Sequence, residues 1–152
     1  MPSDRTAAAE VLSPALLDLF RLTSLLQAVG DRLVAHLGLT SARWQVLGAI
    51  SAADGPHPVA WLARDLGAHR QNVQRIVNDL QRDGLVAFAA NPRHRRAQLV
   101  VLTEPGREAF AEAMRLQAPW LNHLTEGLSV EAAQAFGDLV AALRARLQAD
   151  GP

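Results

Sequence analysis

His69, Arg70, Gln71, Asn72, Gln74 and Arg75 crowd into seven consecutive positions, and Arg, Asn and Gln are the side chains that make bidentate hydrogen bonds to base edges. Interleaved with them, Val73, Ile76, Val77 and Leu80 recur at i, i+3, i+4 and i+7. That is the buried stripe of a helix, so the polar set opens the helix on its solvent side. Upstream, Leu62 and Leu66 mark one face of a shorter helix that Gly67 stops, glycine being the residue best suited to a positive φ at a helix C-terminus. Ala63 and Ala68 are small enough to let the two helices cross closely. The spacing from Leu62 to Leu80 is that of a helix-turn-helix, whose second helix enters the major groove with its N-terminal residues against the bases. Arg70, Gln71, Asn72 and Gln74 are the leading base readers, His69 borders them, and Arg75, one turn on, reaches a base or a phosphate.

Beyond Gly84, Leu85, Val86 and Phe88 face Leu99 to Leu102 across Asn91-Pro92-Arg93-His94-Arg95-Arg96, the pattern of a β-hairpin. Its tip carries Arg93, Arg95 and Arg96 with no balancing acid, a protrusion suited to a narrow, electronegative minor groove. Charge is concentrated here. The chain is neutral overall, yet residues 64–96 hold seven Arg and three acidic residues, a local excess of four. Phosphate contacts from this surface make binding sensitive to salt.

The flanking elements must hold that surface. Ser13 and Pro14 suggest an N-cap and first helical position for a helix running to Leu37 and stopped by Gly38. Leu19, Leu22, Leu26, Val29 and Leu33 form one apolar row on it, and Leu16, Leu17, Phe20 and Leu25 widen the row beyond what one contact covers. A partner chain is expected to cover the excess. Thr40 caps a helix through Ile50 with Trp44, Leu47, Ala49 and Ile50 inward, Asp54-Gly55-Pro56 breaks the chain, and Pro58 starts the next short helix. Thr103 caps a later helix that Pro119 is expected to end or kink. After Ser129, Ala133, Phe136, Val140, Leu143 and Leu147 recur at alternating steps of three and four, a helix-packing seam.

At 152 residues and 49% hydrophobic composition the chain suits one domain with a packed core. The absence of cysteine excludes disulfides, thiol sensing and thiolate metal sites. His36, His57, His69, His94 and His123 contain no i, i+4 pair on one helix, so no metal and no cofactor are expected. No apolar run would span a bilayer, and Asp4, Arg5 and Glu10 interrupt the start where a signal peptide needs an apolar stretch. A cytoplasmic location and no membrane partner are expected. The chain carries no G-x-S-x-G, H-E-x-x-H or phosphate-cradling glycine loop, and Glu104, Glu108 and Glu112 form one solvated helix face. Catalysis is therefore not expected. Phe20, His36, Trp44, Phe110 and Met114 come from helices expected to meet between the DNA-binding lobe and the outer helices, where a mixed apolar and polar cleft takes a small ligand.

Over nearly its whole length the chain resembles the multiple antibiotic resistance regulator (MarR) family. The resemblance is carried by Leu62-Ala63-x-x-Leu66-Gly67, Val73-x-Arg75-x-Val77-x-x-Leu80, Gly84-Leu85-Val86, Asn91-Pro92-x-x-Arg95-Arg96 and Leu102-Thr103-x-x-Gly106. It implies a mainly α-helical winged helix-turn-helix with a small β-wing. Residues 1–152 would form one MarR-like domain, with 40–103 the DNA-binding lobe and 13–37 and 104–148 the dimerisation helices. It further implies a homodimer on a palindromic operator in double-stranded DNA, repressing genes until a small anionic or phenolic molecule binds. An alternative keeps the scaffold as a protein-interaction module without DNA function. The family commonly has Asp where this chain has Asn91 and His94, and an acid at the second position braces the wing Arg. That brace is expected to be missing, leaving Arg95 and Arg96 as alternatives for the minor groove. The family often has Ser at the position of His69, which is not expected to cap the recognition helix.

Overall fold

The computed structural model describes residues 4–151. Helix α1 spans Ala7–Val34 and passes through a 3-10 turn, Ala35–Leu37, to Gly38 at φ 71°. Helix α2 is Ser41–Ala52, β1 is His57–Pro58, α3 is Val59–Leu66 and α4 is Arg70–Arg82. Strands β2, Val86–Ala89, and β3, Leu99–Leu102, precede α5, Glu104–Leu124, and α6, Val130–Ala149. The chain forms two compact units, one up to Gln117 and one from Ala118.

In the first unit the core gathers the apolar stripes of α2, α3 and α4. Leu47, Leu62, Leu80, Val46, Val73, Val77 and Val100 are fully buried, with Val34 from the end of α1. Residues predicted inward on α4 are all buried. On α2, Leu47 and Ala49 are buried and Trp44 and Ile50 half-buried, while Val46 joins the core beside them.

The sheet has order β1–β3–β2 and is antiparallel throughout. The hairpin is where the sequence placed it, with Val86 opposite Leu102 and Ala89 opposite Leu99. The third strand is new: α3 starts immediately after Pro58, close to the expected start at Pro58 itself, but His57 and Pro58 also pair with Val100 and Leu99. β1 is an edge strand of the sheet, where proline is tolerated. His57 stacks on Trp61 at 3.8 Å and its Nε2 lies 2.8 Å from Asp54 Oδ1.

Two helix boundaries differ from expectation. α1 starts at Ala7, because Thr6 caps it by accepting from the Ala9 N–H and Ala7 to Ala9 are strong helix formers. Pro14 lies inside, where it removes one backbone bond near the helix start. Of the two outcomes expected at Pro119, the helix does not end there, and α5 continues to Leu124. The C-terminal end of α1 is stitched to α2, for Ser41 donates its N–H to Asp31 Oδ1 at 2.7 Å and its hydroxyl to the Gln27 carbonyl at 2.7 Å. The rest of α1 is mostly open to solvent: Leu17, Phe20 and Leu25 are each more than 60% exposed.

The Gly84-Leu85 and Thr103-x-x-Gly106 motifs meet at one node. Thr103 donates its hydroxyl to the Gly84 carbonyl at 2.6 Å, accepts from the Gly106 N–H, and donates its own N–H to the Leu85 carbonyl. The node fixes the start of α5 against the entry to β2.

In the second unit, Ser129 caps α6 through the Ala132 N–H. The predicted seam is present as a row, but Phe136, Val140 and Leu147 are exposed and no residue of α6 is buried.

Candidate nucleic-acid interface

Gly67 takes φ 63°, its N–H reaches the Arg64 carbonyl and the Ala68 N–H reaches the Ala63 carbonyl. This paired closure is a Schellman cap, and it turns the chain from α3 into α4 within three residues. His69 is the N-cap of α4 but makes no side-chain capping bond, as its replacement of a serine implied. The start of α4 consequently leaves its N–H groups, with the positive end of the helix dipole, toward solvent.

His69, Arg70, Gln71, Asn72 and Arg75 are exposed and Gln74 is half-buried. They are not equally free. Arg75 Nη2 donates to Asn72 Oδ1 at 2.7 Å, and Gln74 Nε2 donates to Asn78 Oδ1 at 2.9 Å. Asn72 thus aims the Arg75 guanidinium along the exposed face. Asn78 is a polar member of this face that sequence reasoning missed; its spacing of four from Gln74 was the available signal.

Arg93, Arg95 and Arg96 are all exposed at the wing tip. Among the described residues, neither they nor Arg70 pair with a carboxylate. The tip is nevertheless braced. Asn91 accepts from the Arg93 N–H at 3.0 Å and donates its amide to the Ala97 carbonyl at 2.8 Å, an uncharged brace different in kind from the acid–arginine pair expected to be missing. An aspartate there could accept but not donate. Asn91→Asp is accordingly expected to lower DNA affinity several-fold at constant salt, since it loses the bond to Ala97 and sets a carboxylate among three arginines; unchanged binding isotherms would show that the brace is dispensable.

A cleft of about 240 Å³ separates α4 from the wing, with Arg70, Gln74 and Asn78 on one wall and Phe88, Arg96 and Gln98 on the other. Of the predicted DNA-binding residues, Arg70, Gln74 and Arg96 border this cleft, and the others lie outside it.

The five predicted ligand residues are less gathered. Trp44 and Phe110 both pack against the core, and the Phe110 ring lies 3.4 Å from where a Cβ on Gly48 would sit. His36 lies near α5: the Arg115 guanidinium hydrogen-bonded to Glu112, with a smaller pull from His36, holds the Glu112 carboxyl below the usual glutamate range. Met114 is exposed, and Phe20 is 75% exposed on α1. A separate hollow of about 280 Å³ is lined by Ile50, Pro56, Val100, Leu102 and Arg107 and involves none of the five.

Comparison with known proteins accords with this geometry. A sequence model of the MarR family matches residues 37–97. The uncharacterized protein Rv2011c of Mycobacterium tuberculosis is 38% identical over 135 residues, covering 89% of this chain and 93% of that protein. The transcriptional activatory protein BadR of Rhodopseudomonas palustris is 36% identical over 107 residues, 68% of this chain and 61% of BadR. Among solved structures, the MarR family transcription regulator SP03579 superimposes with a TM-score of 0.76 at 25% identity, covering 94% of this chain and 93% of that one. The M. tuberculosis transcriptional regulator MOSR, crystallised in complex with DNA, gives 0.69 at 26% identity, covering 86% and 96%.

Proposed function

This chain belongs to the MarR family of winged-helix transcriptional regulators, not to a family of enzymes, and from that premise we propose that it binds a palindromic operator as a homodimer and represses transcription until a small ligand releases it. The observation that carries the reading is that Arg70 of α4 and Arg96 of the wing line the same cleft. A recognition helix in the major groove with a wing over the adjacent minor groove uses such an arrangement. His69, Arg70, Gln71, Asn72, Gln74 and Arg75 are the proposed groove-facing set, with Arg93, Arg95 and Arg96 at the backbone or minor groove. That MOSR, 26% identical, was crystallised in complex with DNA supports DNA as the partner.

We assign residues 40–103 to DNA binding and the helices within 13–37 and 104–148 to dimerisation, as parts of one MarR-like domain. Exposed apolar rows on α1 and on α6 support this, because contiguous apolar surface of that extent marks an association site. Phe20, His36, Trp44, Phe110 and Met114 are the proposed lining for an aromatic or phenolic anion. Such a ligand acts by binding the spacing of recognition helices that does not fit the operator. No described helix is long and apolar enough to cross a membrane, and we place the protein in the cytoplasm.

Selection from a random DNA pool by the full chain, with and without hydroxybenzoates, tests the proposal. Enrichment of an inverted repeat with half-sites about one helical turn apart is the expected result, and hydroxybenzoate-dependent release is expected with it. Failure to enrich any duplex would favour the protein-interaction alternative. Because BadR is a transcriptional activatory protein, activation is a second reading; transcription from the recovered site with and without protein separates the two.

A further inference from the structure

Arg43, in the first turn of α2, stands at the opposite end of α4 from the proposed base readers and has no part in the DNA-facing set. Its Nη1 donates to the Gly38 carbonyl at 3.2 Å and to Asp83 Oδ2 at 3.1 Å, and its Nη2 lies 3.5 Å from Asp79 Oδ2. Asp79 also receives Arg82. The guanidinium thus joins three segments: the turn that ends at Gly38 after α1, the start of α2, and the last turn and cap of α4. Two carboxylates at a helix C-terminus face the negative end of the dipole and repel each other, so Asp79 and Asp83 would loosen this end of α4 if left alone. Isolated surface ion pairs contribute little. This one is a network, and the Arg43 and Asp79 side chains are each only about a quarter exposed, at 26% and 28%.

We propose that Arg43 is a positioning residue for operator recognition: by tying Asp79 and Asp83 to Gly38 it sets the tilt of α4 relative to the end of α1, and so carries affinity without touching DNA. The proposal rests on the reading of α4 as the recognition helix. Thirteen residues make α4 about 20 Å long, so a tilt of about 10° at its C-terminus displaces the N-terminal side chains by about 3 Å. Bidentate contacts to bases do not survive that displacement. A fork-shaped guanidinium can serve a carbonyl and two carboxylates at once, and an ammonium cannot hold the same geometry.

The test uses the full chain and the duplex it enriches from a random pool, beside a scrambled duplex of equal length. Arg43→Gln is expected to lower affinity for the enriched duplex about tenfold, leave scrambled-duplex affinity within twofold, and keep the salt dependence unchanged. Arg43→Lys is expected to fall between. Asp83→Asn should weaken specific binding as well, and the Arg43→Gln/Asp83→Asn double variant should be no weaker than the worse single one, because both break the same link. Should Arg43→Gln not fold, Asp83→Asn and Arg43→Lys still decide the matter. A salt slope shallower by about one for Arg43→Gln would make Arg43 a phosphate contact and overturn the inference. Equal specific affinity in all variants would overturn it too. A wild-type chain that enriches no duplex would overturn the DNA-binding reading together with it, whereas a binding wild type with indifferent variants overturns this inference alone.

Discussion

Arg75→Ala and Arg95→Ala are each expected to weaken operator binding by about tenfold to a hundredfold, the range for losing one arginine contact to a base or a groove. The two should differ in kind. Arg75 projects from the exposed face of α4, where Asn72 holds its guanidinium, so its loss should fall on specific DNA and spare scrambled DNA. Asn72→Ala should also weaken specific binding, because it removes a proposed base reader and at the same time frees the Arg75 side chain that Asn72 holds. Arg95 is exposed at the wing tip and, among the described residues, has no carboxylate partner. If it meets phosphate, Arg95→Ala weakens specific and scrambled duplexes alike and makes the plot of log affinity against log salt shallower by about one. Fluorescence anisotropy titrations at several salt concentrations read both quantities. Isotherms of both variants that coincide with wild type would remove these residues from the interface.

Gly106→Ala is expected to be among the most destabilising single-methyl changes in the chain. A Cβ at Gly106 would sit 1.9 Å from the Leu85 carbonyl oxygen and 2.9 Å from its carbon. Both atoms are backbone, so no rotamer change relieves the clash. The same Leu85 carbonyl accepts from the Thr103 N–H, and Thr103 in turn holds Gly84 and Gly106. Moving α5 away would therefore break the node that sets the β2 entry and the base of the wing. A loss of about 3 kcal/mol or more is expected from overpacking combined with broken hydrogen bonds. Urea unfolding should show the midpoint falling at an unchanged slope. A variant within about 0.5 kcal/mol of wild type, the usual range for surface changes, would mean that the approach of α5 to Leu85 is not obligatory.

The helix-turn-helix and the hairpin were legible because their information is local. The stripe Val73, Ile76, Val77 and Leu80 needs only helical periodicity to define a buried face, and all four are buried. Gly67, Thr40 and Ser129 act at the positions where their own backbone or hydroxyl chemistry closes a helix end. Competing local signals were harder to rank. Ser13-Pro14 reads as the helix start, yet Thr6 and the alanines after it begin α1 earlier in the chain.

Composition, periodicity and capping residues were enough to identify a mainly helical chain with a helix-turn-helix, an arginine-tipped hairpin and outer helices rich in apolar residues. They could not disclose pairings between distant segments. His57 and Pro58 are a strand only because β3 lies beside them; two residues carry no period of their own. Asn91 braces the wing only once the hairpin brings Ala97 back to it. Arg43 meets Asp83 across forty positions of sequence, and no spacing rule joins them. Each of these contacts depends on the packed core bringing remote backbones to within hydrogen-bonding distance, which is a property of the folded chain and not of any segment within it.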